Sequence, residues 1–215
     1  MKITCVLFAQ VIFFIYLCCK IKKMNKCELR DKTNFQNDLV EYGLIGEQKL
    51  CQLLTEKGKQ FIDVSNLKEF REYDIDIIQI QRNNLTNQDF LNILKSGESL
   101  KNVDAISYEV KTDTVGLKSR NIIWEVFSNS NIGCMIKTKA DYLYYVFIDD
   151  NKNVVEEYLI NLKKLRWWLM SNFHNINQCN YLKSKSMRRG EDNTGIFLIN
   201  IDYLLQETNN IAYKI

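Results

Sequence analysis

Proline is missing from this chain of 215 residues, where average usage would supply about ten. Asn, Ile and Lys are plentiful in its place, a pattern of coding bias that carries no functional message. Histidine is almost as scarce. With only His174 available, one chain cannot build a histidine cluster, an H-E-x-x-H helix or a Cys/His zinc finger. Catalysis must then rest on carboxylates, lysine or cysteine. Four of the seven cysteines (Cys5, Cys18, Cys19 and Cys27) crowd toward the N-terminus, and Cys51, Cys134 and Cys179 stand far apart. There is no C-x-x-C pair and no disulfide framework to read. Glycine- or serine-rich linkers and internal repeats are also lacking, so no boundary splits the body.

One long hydrophobic run is present. It extends over residues 3–19, broken only by Gln10, and is followed by Lys20, Lys22, Lys23 and Lys26. Seventeen residues is the short limit for a membrane-spanning helix and longer than most signal-peptide cores. Three readings of residues 1–26 stay open: an anchor, a start displaced to Met24, or a signal peptide with a poor cleavage site. As an anchor, with one lysine before the run and four after it, the leader leaves the body on the cytoplasmic side. The leader also explains the net charge of +3. It holds five lysines and no acid, so residues 27–215 carry 24 basic and 26 acidic side chains. Positive charge in the body is therefore local.

The body, 27–215, reads as one α/β domain with a mixed central sheet flanked by helices. Apolar residues at helical spacing predict a helix over 37–55. Alternation and β-branching predict strands over 61–64, 73–80, 105–112, 121–127, 141–148, 154–160 and 195–201. A polar insertion occupies about 82–103, with a helical fragment at 88–95. Helical spacing returns after 160 through Leu162, Leu165, Trp168 and Leu169. The stretch 172–193 is polar and weakly patterned, and a short tail helix follows the last strand.

Chemistry concentrates in the strand over 105–112. Glu109 and Lys111 stand two apart, so both project from one face, with Val110 on the other. A carboxylate beside an ammonium suits phosphodiester hydrolysis, the acid holding a divalent cation and the lysine facing the developing phosphorane charge. The triplet alone is common, and Glu47-Gln48-Lys49 looks much like it. Its surroundings single it out. Asp76 lies on the preceding strand between Ile75 and Ile77, where an acid is costly unless paired, solvated or bound to metal; Asp74 is the alternative. Glu47 follows Gly46 on the first helix.

A helix acid, a strand acid and a Glu-x-Lys strand, in that order, resemble the PD-(D/E)XK, restriction-endonuclease-like nuclease superfamily, closest to its small resolvase-like or phage-type members. The likeness spans roughly 43–148 and includes the downstream Thr138-Lys139-Ala140-Asp141-Tyr142, which resembles an element that opens a strand in such proteins. It differs in having Ile75 where a proline often precedes the Asp, and in the insertion before Glu109. The resemblance implies a restriction-endonuclease-like core and Mg²⁺- or Mn²⁺-dependent hydrolysis of DNA, including branched or broken duplexes, and is compatible with a homodimer. It implies that Asp76, Glu109 and the Val110 carbonyl hold the metal, that Lys111 serves the water and transition state, and that Glu47 completes the site.

Basic residues just after the site offer phosphate contacts. Lys111, Lys118, Arg120, Lys137 and Lys139 face only Asp113 and Glu125 in sequence between 111 and 139, and Lys118, Arg120 and Lys139 are the candidates for gripping nucleic acid. The run Lys183, Lys185, Arg188 and Arg189 reads as a solvated loop, and the Trp167-Trp168 pair as core plus rim. Two other functional classes fit the same residues: a nuclease-like module that binds without cleaving, and a membrane-anchored protein whose acids are surface charge.

Overall fold

The computed structural model describes residues 26–28, 32–81, 85–128, 131–189, 192–207 and 209–215. The hydrophobic leader lies outside them up to residue 25. Among the described residues no helix is long and apolar enough to cross a membrane.

A short strand β1 (Lys26–Glu28) precedes the long helix α1 (Lys32–Glu56), which leads into a meander of β2 (Gln60–Asp63), β3 (Ile77–Ile80) and β4 (Ala105–Asp113). Each pairs antiparallel with the next, Ile62 opposite Ile78 and Ile78 opposite Ser107. Between β3 and β4 lie α2 (Asn87–Ser96) and a 3₁₀ turn, Leu100–Val103. Helix α2 has a capping box between Thr86 and Asp89 and ends on Gly97 in the left-handed region, so this insertion has its own start and stop signals.

After β4 the chain leaves the sheet through the one-turn helix α3 (Gly116–Ser119), β5 (Asn121–Ser128), β6 (Asn131–Ile132) and the one-turn helix α4 (Cys134–Lys137). It returns as β7 (Tyr142–Ile148), which pairs parallel with β4, Glu109 opposite Leu143 and Lys111 opposite Tyr145. Strand β8 (Val154–Asn161) pairs antiparallel with β7, and the late strand β11 (Ala212–Lys214) closes that edge. The first sheet is thus mixed, in the order β11-β8-β7-β4-β3-β2. Helix α5 (Leu162–Asn172), strands β9 (Leu182–Arg189) and β10 (Asp192–Asn200), and helix α6 (Ile201–Gln206) complete the chain. A second sheet runs β1-β9-β10-β5-β6.

Two apolar layers sandwich the first sheet. On one face Leu50 and Leu54 of α1 cover Ile77, Tyr108, Val110, Tyr144, Val146 and Ile148. On the other, Leu143, Tyr145, Phe147 and Ile160 meet α5, α6 and the inward side of the second sheet, represented by Trp124 and Phe197. The mixed α/β architecture with flanking helices follows the sequence expectation. Trp168 is buried and Trp167 is 55% exposed, the core-plus-rim division expected of that pair.

Three expectations need correction. The strand over 73–80 is only half extended: β3 begins at Ile77, and the preceding chain is turned, with Asp74 at φ 46°. Asp74 and Asp76 therefore do not share a strand face. Hydrogen bonds from the Lys139 N–H to the Tyr73 carbonyl (2.8 Å) and from the Thr138 hydroxyl to the Asp74 carbonyl (2.7 Å) hold the turn, replacing the neighbouring strand that alternation anticipates. Within the polar stretch 172–193, β9 is a full strand that alternates lysine with serine and leucine and so lacks an apolar period-two signal. Strand β11 likewise follows α6, beyond the last strand expected from the sequence.

Helix α1 lies close against β4 at one point. A Cβ at Gly46 would stand 2.4 Å from Thr112 Oγ1 and 2.8 Å from Val110 Cγ1, whereas one at Gly43, a turn earlier, meets nothing within 4 Å. Helix propensity favours alanine over glycine by about 1 kcal/mol at either position. Gly43→Ala is therefore expected to stabilise the protein by up to about 1 kcal/mol. Gly46→Ala is expected to destabilise it by about 1–3 kcal/mol through overpacking. Urea denaturation of the two variants checks this, and equal stabilisation by both would mean that α1 does not press on β4.

Candidate active site

The ladder between β3 and β4 ends where Ile77 faces Tyr108. One residue earlier, Asp76 still donates its N–H to the Tyr108 carbonyl (2.9 Å) and accepts from Val64 N–H (2.8 Å). Beyond that point, among the described residues, no backbone continues along this edge of β4. The Asp76 side chain takes over, its Oδ2 accepting the Val110 N–H at 2.7 Å. In an extended strand the N–H and C=O of one residue point to the same edge, so the Val110 carbonyl is directed toward the same gap as Asp76.

Glu109 projects from the face opposite α1 and is 3% exposed. Lys111, one pleat on, places its Nζ 2.5 Å from Glu109 Oε1, with its own side chain 38% exposed. The pair thus runs from an interior acid to a cation at the surface. Burial raises the pKa of Glu109 to about 8, with the charges of Asp76 and Asp74 adding to the rise and Lys111 opposing it. Burial also raises Asp76, which Lys111 and the Val110 N–H pull back down; Glu109 lies within its hydrogen-bonding range. Desolvation thus penalises the charged form of both carboxyls.

Glu47 enters from α1, on the residue after the close-packed Gly46. Burial raises its pKa, the charges of Asp76 and Asp63 raise it further, and Ser65 and Lys111 lower it. Glu47 is therefore within electrostatic reach of both Asp76 and Lys111. The structure brings Glu47, Asp76, Glu109 and Lys111 into one locality, with Val110 supplying backbone groups between them. Asp63 and Ser65, at the end of β2 and just after it, belong to the same neighbourhood. Sequence reasoning missed them, since a Ser-Asp pair at a strand end has no motif, and the Ser65 hydroxyl donates locally to Asp63 at 2.7 Å.

The fallback acid, Asp74, sits on the turn and pairs with Lys137 at 3.3 Å. Its other oxygen is buried without a hydrogen-bond partner. Of the residues expected to grip phosphate, Lys118 and Lys139 are exposed. Arg120 is engaged inside the protein: it bonds both oxygens of Asp202 (2.8 and 3.0 Å), the Tyr158 hydroxyl (2.8 Å) and Glu156. That network ties the end of α3 to β8 and α6, and it directs the guanidinium inward.

Among the described residues no three His, Cys, Asp or Glu side chains form a ready-made metal cage. The donor set nonetheless fits Mg²⁺ or Mn²⁺, because a hard cation of this kind keeps several waters and needs only one or two protein carboxylates. Asp76, Glu109 and the Val110 carbonyl provide such a set. Comparison with known proteins gives no independent guide: no family model, curated protein or solved structure matches the chain.

The raised pKa of Glu109 makes stability depend on pH. Unfolded, the group titrates near 4.5; folded, near 8. Between these values the folded state binds more protons, so stability falls as pH rises through the window and is greatest at its acid end. Urea midpoints measured without divalent cations should decline from pH 5 to pH 8. In Glu109→Gln that decline should be largely removed. A wild-type midpoint as high at pH 8 as at pH 5 would contradict a buried, protonated Glu109.

Proposed function

We propose that this protein is a Mg²⁺- or Mn²⁺-dependent nuclease that hydrolyses DNA phosphodiester bonds, a member of the PD-(D/E)XK, restriction-endonuclease-like group. The observation that carries the reading is the grouping of Asp76, Glu109 and Lys111 around Val110, with Glu47 within electrostatic reach of Asp76 and Lys111. These residues come from α1, the lead-in to β3, and β4, in the same order as the sequence motif. The antiparallel meander β2-β3-β4, with β7 parallel beside it, supports it further, because the lead-in to β3 carries the acid beside the strand that bears the Glu-x-Lys.

Asp76, Glu109 and the Val110 carbonyl would hold the cation. When bound, it supplies polarisation of the scissile phosphate and a more acidic water. The remaining chemistry falls to the chain itself. Hydrolysis joins a water oxygen to phosphorus and breaks the bond to the departing sugar oxygen, which ends protonated. The Lys111 ammonium, half-exposed beside Glu109, faces that reaction with a fixed positive charge, and its advantage grows as charge builds on the phosphoryl oxygens. Glu47, nearer the surface, orders solvent close to Lys111 and Asp76. The Glu109 proton must leave before a cation binds, so binding releases a proton and strengthens with rising pH.

Nicking of supercoiled plasmid and cleavage of branched duplexes, with Mg²⁺ or with chelator, test the proposal. Wild type should cut only with the divalent cation. Lys111→Ala and Asp76→Ala should lose about a hundredfold or more, the scale of removing a group that stabilises transition-state charge, while circular dichroism reports an intact fold. Wild-type activity in both variants would sink the site. Tight, Mg²⁺-insensitive DNA binding without products would select a non-cleaving binding module instead.

A further inference from the structure

The segment Lys137–Asp141 contains the Thr-Lys-Ala-Asp of the Thr-Lys-Ala-Asp-Tyr motif. It touches both elements that bear the carboxylates. On one side Thr138 Oγ1 donates to the Asp74 carbonyl (2.7 Å) and accepts the Ala140 N–H (3.1 Å). The Lys139 N–H donates to the Tyr73 carbonyl (2.8 Å). Lys137 Nζ donates to the Arg71 carbonyl (2.9 Å) and pairs with Asp74 (3.3 Å). On the other side, Asp141 Oδ2 accepts from the Ser107 N–H (3.1 Å) and hydroxyl (3.0 Å), two residues before Glu109. Arg166 of α5 fixes the segment from behind, donating to the carbonyls of Met135 (3.2 Å) and Thr138 (2.8 Å). Thr138 is 2% exposed, and a buried hydroxyl with both functions satisfied in this way specifies geometry.

We propose that Lys137–Asp141 is a brace that sets the position of Asp76 against Val110 and Glu109, with Thr138 and Lys137 as its positioning residues. The turn 71–74 leads directly into Asp76, has no strand neighbour of its own, and includes a residue at positive φ, a conformation that persists only when its surroundings hold it. The brace supplies that hold and ties it, through Asp141 and Ser107, to the strand that carries the second acid. The inference rests on the cation-binding reading for its functional meaning, while its structural content stands apart from it.

The test compares wild type, Thr138→Val, Thr138→Ser and Lys137→Met in two measurements. The first is amide exchange at Val110, whose N–H is held by Asp76, against the β7 amides as an internal reference. Thr138→Val and Lys137→Met should lower Val110 protection about tenfold relative to β7, as expected of local opening, and Thr138→Ser should restore it. The second is calorimetric titration with Mn²⁺ alone. Both variants should bind about tenfold more weakly, the usual effect of losing an outer support of a metal ligand. Lys137→Met is the sharper case. Deleting a cation beside acids would tighten Mn²⁺ binding if only charge mattered, whereas a brace requires weakening. Lys137 is half-exposed, so that variant is available even if Thr138→Val does not fold. Unchanged Val110 protection in Lys137→Met overturns the brace. Absence of Mn²⁺ binding in wild type overturns the nuclease reading, and the exchange measurement still decides the brace.

Discussion

A single hydrogen bond organises the site: the Asp76 carboxylate accepting the Val110 N–H just where β3 stops. A sheet edge with no neighbour leaves its amides to water or to a side chain, and here an acid occupies that position. Because the bond is made to backbone, the acid is fixed relative to the main chain of β4, and Glu109 and Lys111 on either side of Val110 inherit that placement. Extending β3 by two residues would fill the gap with backbone and leave no room for a carboxylate. Ending it two residues sooner would leave Asp76 without the Tyr108 and Val64 bonds that hold its own main chain.

Packing on the two faces of β4 serves different ends. Toward α1, Val110 and Thr112 press against Gly46, and this contact brings Glu47, the next residue on the helix, to the edge of the site. Toward the larger core, Glu109 is paired across to Leu143 of β7 and is 3% exposed, a setting that resists ionisation. The alternation of one strand thus divides its residues between a helix-docking surface and the surface that carries the candidate site. Asp113, at the end of the same strand, joins neither. Its oxygens accept the Val115 and Gly116 N–H groups (2.7 and 2.9 Å) and the Tyr145 hydroxyl (2.7 Å), closing the turn out of the strand.

Much of this was legible in the chain. Strong period-two runs of large residues gave β4, β5, β7 and β8 to within about a residue, because burial on both sides leaves few other places for Tyr144, Val146 or Ile148. The Glu-x-Lys face and the first helix were equally plain. Legibility failed where a segment's conformation comes from distant partners. Tyr73 and Asp74 read as the start of a strand and are instead turned, since their carbonyls bond to Lys139 and Thr138, more than sixty residues away. Strand β9 lacks apolar alternation because one of its faces carries lysine. Arg120 reads as a free cation from its neighbours in sequence; its acidic partners, Glu156 and Asp202, arrive only through folding.

The return of the chain as β7, parallel to β4, has a bearing on assembly. A parallel neighbour requires a crossover, and this one carries a hairpin that itself completes a second sheet with β9 and β10 near the chain's end. Contacts so far apart in sequence form slowly. As the polypeptide is made from its N-terminus, Asp76 and Glu109 both emerge well before Thr138 and Asp141. The acids are therefore present early in the nascent chain but gain their fixed spacing late, so the geometry around Val110 is among the last features the domain acquires.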